Sequence, residues 1–252
     1  DGVGRRSATI GDVADVATLV ARDGARTRAI ETAVPFTTIG DFCRARCAEL
    51  GPRPLLDVFE RGETATYAEA DAASDRIAAA LAGLGLGVGD RVAVMLPNRL
   101  TYPLLFLALA KLGAVHVPVN TRYTPREIAH VVGDSAAAAM VIDPLHLEAL
   151  EAVEDRDRLP PRERILVLDG APAPGMTDFD ALVAAADAAP PRPALGPDHL
   201  MNIQYTSGTT GFPKGCMLDH DYWMVLAHAA AAWDAEPPAR LLTAQPFFYM
   251  DP

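Results

Sequence analysis

The 252-residue chain is half hydrophobic and 22% charged; this is ordinary for a folded globular protein, and it excludes disorder of the whole chain. The length suffices for one large or two modest α/β units with a real core. A formal net charge of -11 has the wrong sign for nonspecific binding of nucleic acid or an anionic membrane surface, so any site for a polyanion must be built locally from backbone N–H groups, a lysine and a metal ion.

Residues 1–37 are mixed in charge and weakly patterned, with a helix expected over Thr9–Ala25, and are taken as an N-terminal extension. From Thr38 the pattern tightens. Ile39, Phe42, Cys43, Cys47 and Leu50 form an apolar stripe at helical spacing, closed by Gly51-Pro52. Leu55–Glu60 and Thr64–Tyr67, around Arg61-Gly62-Glu63, predict a β-hairpin. Helices are expected over Ala68–Leu84, Tyr102–Leu112, Pro125–Val132 and Leu145–Glu154. Strands are expected over Arg91–Leu96, Ala114–Val119, Ala138–Ile142 and Arg164–Leu168. Such alternation implies parallel strands joined by right-handed crossovers. Residues 38–170 are therefore assigned to a first α/β subdomain. The Pro- and Ala-rich stretch 171–197, with a short helix over Phe179–Ala186, reads as a connection. Residues 198–252 open a second subdomain, with a strand over Met201–Tyr205, a Gly/Thr/Ser loop over 206–215, a helix over Asp221–Trp233 and a last strand over Leu241–Phe248. The expected fold class is α/β: two α/β subdomains of largely parallel sheets flanked by helices.

The three cysteines, Cys43, Cys47 and Cys216, make no regular disulfide framework. Cys43 and Cys47 share a helix face, but further zinc ligands are not evident nearby, so they read as buried thiols. The most apolar stretch, Tyr102–Val119, is broken by Lys111, Gly113, His116 and Pro118, whereas a membrane span needs ~20 nearly uninterrupted apolar residues. No signal peptide is visible, and a cytoplasmic protein is expected. His116 reads as packed, and Asp155 to Arg158 as a solvated helix end. The chain starts at Asp1 rather than Met and stops at Pro252 directly after an apolar run, so a longer protein is expected.

The chemistry is carried by Tyr205-Thr206-Ser207-Gly208-Thr209-Thr210-Gly211-Phe212-Pro213-Lys214-Gly215. Its glycines let the backbone approach a ligand closely, and successive N–H groups in such a turn form an anion nest. Thr206, Ser207, Thr209 and Thr210 add hydroxyls, Pro213 stiffens the end and Lys214 supplies a mobile cation. The loop is placed between a strand and a helix, the usual site of phosphate loops. It is not a Walker A loop: counted from Gly208, the second required glycine falls on Pro213, and Gly215 follows Lys214. By composition alone, a flexible surface loop is an equal reading.

The full string resembles the signature phosphate loop of the adenylate-forming superfamily, which comprises acyl- and aryl-CoA ligases, peptide-synthetase adenylation domains and firefly luciferase. The resemblance extends through Thr66-Tyr67-Ala68-Glu69, Gly89 to Val94 and Leu112 to Asn120. Asn120, with Arg122 and Glu127-Ile128, is closer to the CoA ligases; peptide-synthetase domains usually carry aspartate at that position. Gln245 to Tyr249 is similar to the next family motif, with Tyr249 where histidine is common, and the ending QPFFYMDP resembles carnitine-type CoA ligases. Taken alone, Phe247, Phe248 and Tyr249 read as core.

The resemblance implies the N-terminal part of the adenylate-forming fold, with the mobile C-terminal domain absent. It implies activation of a carboxylic acid with ATP and Mg²⁺, transfer to coenzyme A, and a setting such as fatty acid metabolism. It implies Lys214 as the catalytic cation, Thr206 as a magnesium ligand, and Ser207, Gly208, Thr209, Thr210, Gly211, Pro213, Lys214 and Gly215, with Thr206, as the nucleotide-binding loop. It places Tyr249 in the acid pocket. This chain alone is expected to be inactive, and a homodimer is compatible with the reading. The alternatives are an adenylation domain that loads a carrier protein and a non-catalytic nucleotide-binding half-domain.

Overall fold

The computed structural model describes residues 36–170, 172–186, 189–206, 211–233 and 240–249. The helix expected over Thr9–Ala25 and loop residues 207–210 lie outside them. Helix α1 (Ile39–Leu50) begins where the Thr38 side chain accepts the Asp41 N–H, and it ends at Gly51. Strands β1 (Pro54–Val58) and β2 (Glu63–Thr66) form an antiparallel hairpin. Helix α2 (Tyr67–Gly83) opens on a reciprocal capping box between Thr66 and Glu69, which satisfies two otherwise orphaned N–H groups. Then follow β3 (Arg91–Met95), α3 (Thr101–Leu112), β4 (Val115–Pro118) and α4 (Pro125–Asp134), the last with its own capping box from Thr124 and Glu127. The chain continues through β5 (Ala139–Ile142), α5 (Leu147–Glu151), β6 (Ile165–Val167), β7 (Thr177–Asp178), α6 (Phe179–Ala184), β8 (Leu200–Thr206), β9 (Lys214–Asp219) and α7 (His220–Trp233).

Strands β3 to β9 form one sheet in the order β7-β6-β5-β3-β4-β8-β9, parallel throughout except for the antiparallel β8–β9 pair. The α/β class with a largely parallel, helix-flanked sheet is therefore observed. Strands from both sides of the expected connection share this sheet, because β8 bridges β4 at Asn202 and His116. Both faces are covered, so the central strands are apolar on both sides. Val92 and Val94 of β3 pack with α2 and α3, while Ala93 and Met95 pack with Ile128, Val131 and Val132 of α4. A third cluster joins Ile39, Ala110, Met201 and Met224, bringing α1, α3 and α7 onto β8. Helix α3 turns sharply into β4 at Gly113, whose φ of 75° is left-handed and where a Cβ would lie 2.8 Å from Leu195 Cδ2.

Two buried cations tie these layers. Lys111 of α3 is 1% exposed and donates to Asp71 (2.6 Å), Asp75 (2.7 Å) and the Ser74 hydroxyl (2.8 Å) of α2. Arg99, just beyond β3, pairs with Asp143 beyond β5 and with both carboxylate oxygens of Asp169 beyond β6. It thus fastens the carboxyl ends of three parallel strands. The Arg99 guanidinium holds the Asp169 carboxyl below the usual carboxylate range.

Contrary to the expectation from sequence, Asp71 comes close to Cys43 and Cys47, with candidate ligand atoms within 4.8 Å of one another. Asp71 is already bound to Lys111, and burial pushes the Cys43 thiol up to about 12. Without a metal, burial favours the neutral thiols over thiolates.

Candidate active site

Sequence places the phosphate loop between a strand and a helix; the structure places it between two strands. β8 and β9 are antiparallel, with Thr206 opposite Lys214 and Tyr205 opposite Gly215. The expectation missed β9 because Lys214 and Gly215 read as the end of a loop that extended over 206–215. β9 is also a largely exposed edge strand, so it lacks the apolar signature of a buried one. One consequence is electrostatic. Lys214 sits at the start of β9 rather than at a helix N-terminus, and among the described residues Lys214 and Arg126 bring positive charge to the loop. Thr206 and Lys214 are both exposed, at the end of the hairpin where the loop joins its two strands.

The hairpin is anchored from one face of α4. Arg126, His130 and Asp134 are four residues apart and so project from one side of the helix. Asp134 Oδ2 accepts the Tyr205 hydroxyl at 2.7 Å. His130 Nε2 lies 2.9 Å from the Pro213 carbonyl, and its ring stacks on Phe212 at 4.6 Å. The Arg126 guanidinium stands 4.8 Å over that same Phe212 ring. Burial, with the Asp134 carboxylate second, pushes the Tyr205 phenol up, so it stays a donor. Gly215 is required opposite Tyr205: a Cβ there would lie 2.8 Å from Ile203 Cγ2 and 3.1 Å from the Tyr205 ring. Arg126, His130 and Asp134 were not singled out from sequence, although their four-residue spacing on an amphipathic helix was a readable signal.

The other face of β8 lines a cavity of about 500 Å³. Asn202 and Gln204 point into it, as alternation along a strand requires, and Thr206 follows on the same face. His116, Tyr102 and Phe106 form one wall and Trp223 another. Residues 245–249 run across it. They do not form the expected strand. Gln245-Pro246 interrupts the apolar run, and the backbone there is held by side chains instead. Asn98 donates to the Gln245 carbonyl (2.9 Å) and accepts from Phe247 N–H (2.8 Å), while Gln204 donates to the Phe248 carbonyl (3.0 Å). Tyr249 lines the cavity beside Phe248 and is half exposed, whereas Phe248 is buried in the core.

The family profile of AMP-binding enzymes matches residues 43–250. The chain belongs to this family. It is 35% identical over 205 residues to 4-coumarate–CoA ligase 3 of Oryza sativa subsp. japonica, covering 80% of this chain and 35% of that protein. It is 34% identical over 196 residues to the long-chain-fatty-acid–CoA ligase FadD13 of Mycobacterium tuberculosis, covering 73% and 36%. Among solved structures, the inhibitor-bound N-terminal domain of FACL13 from Mycobacterium tuberculosis superposes with a TM-score of 0.69 at 29% identity, over 85% of this chain and 52% of that one. The chain thus spans about a third of the length of the curated AMP-binding relatives it matches. Among the described residues, no helix is long and apolar enough to cross a membrane.

Proposed function

We propose that this chain is the ATP-handling part of an enzyme that activates a carboxylic acid as its acyl-adenylate and passes the acyl group to coenzyme A. The observation that carries the reading is the pairing of Thr206 with Lys214 across a hairpin whose next side chains, Gln204 and Asn202, line an aromatic cavity. Phosphates at the loop end of the hairpin and an acid in the cavity would then meet at one strand end.

In the first half-reaction a carboxylate oxygen attacks the α-phosphorus of ATP, forming the acyl–phosphate bond while pyrophosphate leaves. Bringing two anions together is the obstacle, and Lys214 offsets that repulsion as charge develops on the transferring phosphate. Fixing both reactants at the end of one strand makes the encounter effectively intramolecular. In the second half-reaction a thiolate attacks the carbonyl carbon and AMP leaves. By the family resemblance, Ser207, Gly208, Thr209, Thr210 and Gly211, with Pro213 and Gly215, would contact the phosphates. Thr206 offers an exposed hydroxyl oxygen, a hard donor of the kind magnesium takes beside phosphate and water. Bound there, the ion would neutralise phosphate charge. Asn120, whose side chain accepts the Arg122 N–H at 2.9 Å, supports a CoA acceptor by its likeness to the ligases. A fatty or aryl acid is consistent with what the relatives' names say of those proteins.

Lys214→Ala in the full-length protein tests the reading. Carboxylate-dependent ATP–pyrophosphate exchange is expected to fall by at least ~100-fold. The melting temperature should stay unchanged, because the Lys214 side chain is exposed. Undiminished exchange would refute it.

A further inference from the structure

Helix α1 turns two thiols towards α2. Cys43 and Cys47 are four residues apart on one helix face, and their sulfur atoms lie 3.8 Å from each other. Two Zn–S bonds of ~2.3 Å at the tetrahedral angle span the same ~3.8 Å. The pair is thus spaced to hold one ion without moving the helix. A carboxylate oxygen of Asp71 completes a triad whose ligand atoms all lie within 4.8 Å of one another. Three atoms so spaced surround a point no more than about 2.6 Å from each. A small turn of the partly exposed Asp71 side chain brings its oxygen to the ~2.0–2.2 Å that zinc takes.

Asp71 is free to make that turn because Lys111 has more acceptors than protons. Its ammonium carries three N–H bonds. Four oxygens nevertheless lie within reach: Asp71 Oδ1 (2.6 Å), Asp75 Oδ1 (2.7 Å), the Ser74 hydroxyl (2.8 Å) and the Asp71 carbonyl (3.1 Å). When the Asp71 carboxylate turns to an ion, the other three still satisfy Lys111. Charge balances as well. Each thiol exchanges its S–H bond for an S–metal bond, so two protons leave to the buffer as one divalent ion arrives. The net charge around Lys111 is therefore unchanged. The Asp71 and Asp75 side chains are 33% and 27% exposed, which opens a path from solvent and lets a water serve as fourth ligand. Two sulfur donors select a thiophilic ion over magnesium or calcium, which take oxygen ligands.

We infer that Cys43, Cys47 and Asp71 form a binding site for a thiophilic divalent ion of the zinc class, which pins α1 to α2. None of the three residues lines the cavity or belongs to the nucleotide hairpin, so the site stands whether or not the protein activates an acid.

The test titrates full-length, chelator-stripped protein with Cd²⁺, whose bonds to thiolates absorb in the ultraviolet, and with Zn²⁺ against a competing chelator. Wild type should bind one equivalent more than Cys43→Ser, and the thiolate absorption of that equivalent should be missing from the variant. Cys216→Ser, which removes the exposed thiol of β9, should keep both. Asp71→Asn should weaken the affinity at least ~10-fold, since even partners outside the ligand set contribute that much. That variant keeps the side-chain shape at a partly exposed position, and it decides the matter if Cys43→Ser does not fold. Zn²⁺ should raise the melting temperature of wild type but not of Cys43→Ser. Equal binding by wild type and Cys43→Ser, loss of the equivalent in Cys216→Ser, or unchanged affinity in Asp71→Asn overturns the site.

Discussion

Moving from pH 7 to pH 5 should remove stability through the buried ring of His116. Burial pushes His116 down to about 3 from an ordinary 6.5, with no charged neighbour contributing. Its surroundings explain this: the Tyr102 and Phe106 rings of α3 on two sides, and the Asn202 amide of β8 beside Nδ1. Because the folded value lies below the unfolded one, the unfolded chain takes up the proton first. The His116 contribution is therefore whole above pH 6.5 and is lost as pH falls towards 3. At pH 5 the unfolded histidine lies about 1.5 pH units below its midpoint and is protonated, while the folded one is not, which is worth about 2 kcal/mol. His220 shifts with the same sign, pushed down to about 4 by burial and then by nearby His199, so acid sensitivity of wild type alone is not diagnostic. The decisive measurement is urea denaturation of wild type and His116→Gln at both pH values. The variant is expected to lose about 2 kcal/mol less between them, whatever its stability at pH 7. An identical pH difference in the two proteins would mean that His116 is hydrated or charged in the fold, and the reasoning would fail.

Other perturbations follow from the packing. Lys111→Met should cost about 3 kcal/mol in urea or thermal denaturation, the low end for breaking a buried pair because Asp71 and Asp75 keep some exposure; a loss under about 1 kcal/mol would show that the pairs are dispensable. Gly215→Ala should cost about 1–3 kcal/mol, because the added methyl group must displace Ile203 or the Tyr205 ring. It should also slow exchange by misplacing Lys214 next to it, and normal kinetics with normal stability would show that the hairpin tolerates the methyl group.

The sequence reveals much of the scaffold and rather less of the site. The capping pairs Thr66–Glu69 and Thr124–Glu127, the stop at Gly113 and the β-branched runs at 91–95 and 139–142 are local signals, and their elements appear where local chemistry puts them. The helix expected over Leu145–Glu154 is shorter, with a 3₁₀ turn at Pro144–His146 before α5. The two-residue strand β7, which lies inside the expected connection, is too short to leave a pattern. Leu241 to Phe248 misleads for a tertiary reason: its apolar run reads as a strand, but its backbone is claimed by Asn98 and Gln204 from distant parts of the chain. The loop string Thr206 to Gly215 was recognisable as a unit, while its supports on α4 and the contact of His116 with Asn202 depend on residues more than 70 apart. Spacing along the chain cannot carry such contacts.

Strand β8 has two faces with different neighbours. Ile203 and Tyr205 look towards α4, whereas Asn202 and Gln204 look into the cavity. The two sets of side chains meet different neighbours, although consecutive residues of one strand stay coupled through its backbone. On the proposed reading, positions 202 and 204 could be varied on the cavity side while Ile203 and Tyr205 keep their packing on α4. An engineer would thus treat one ribbon as two surfaces.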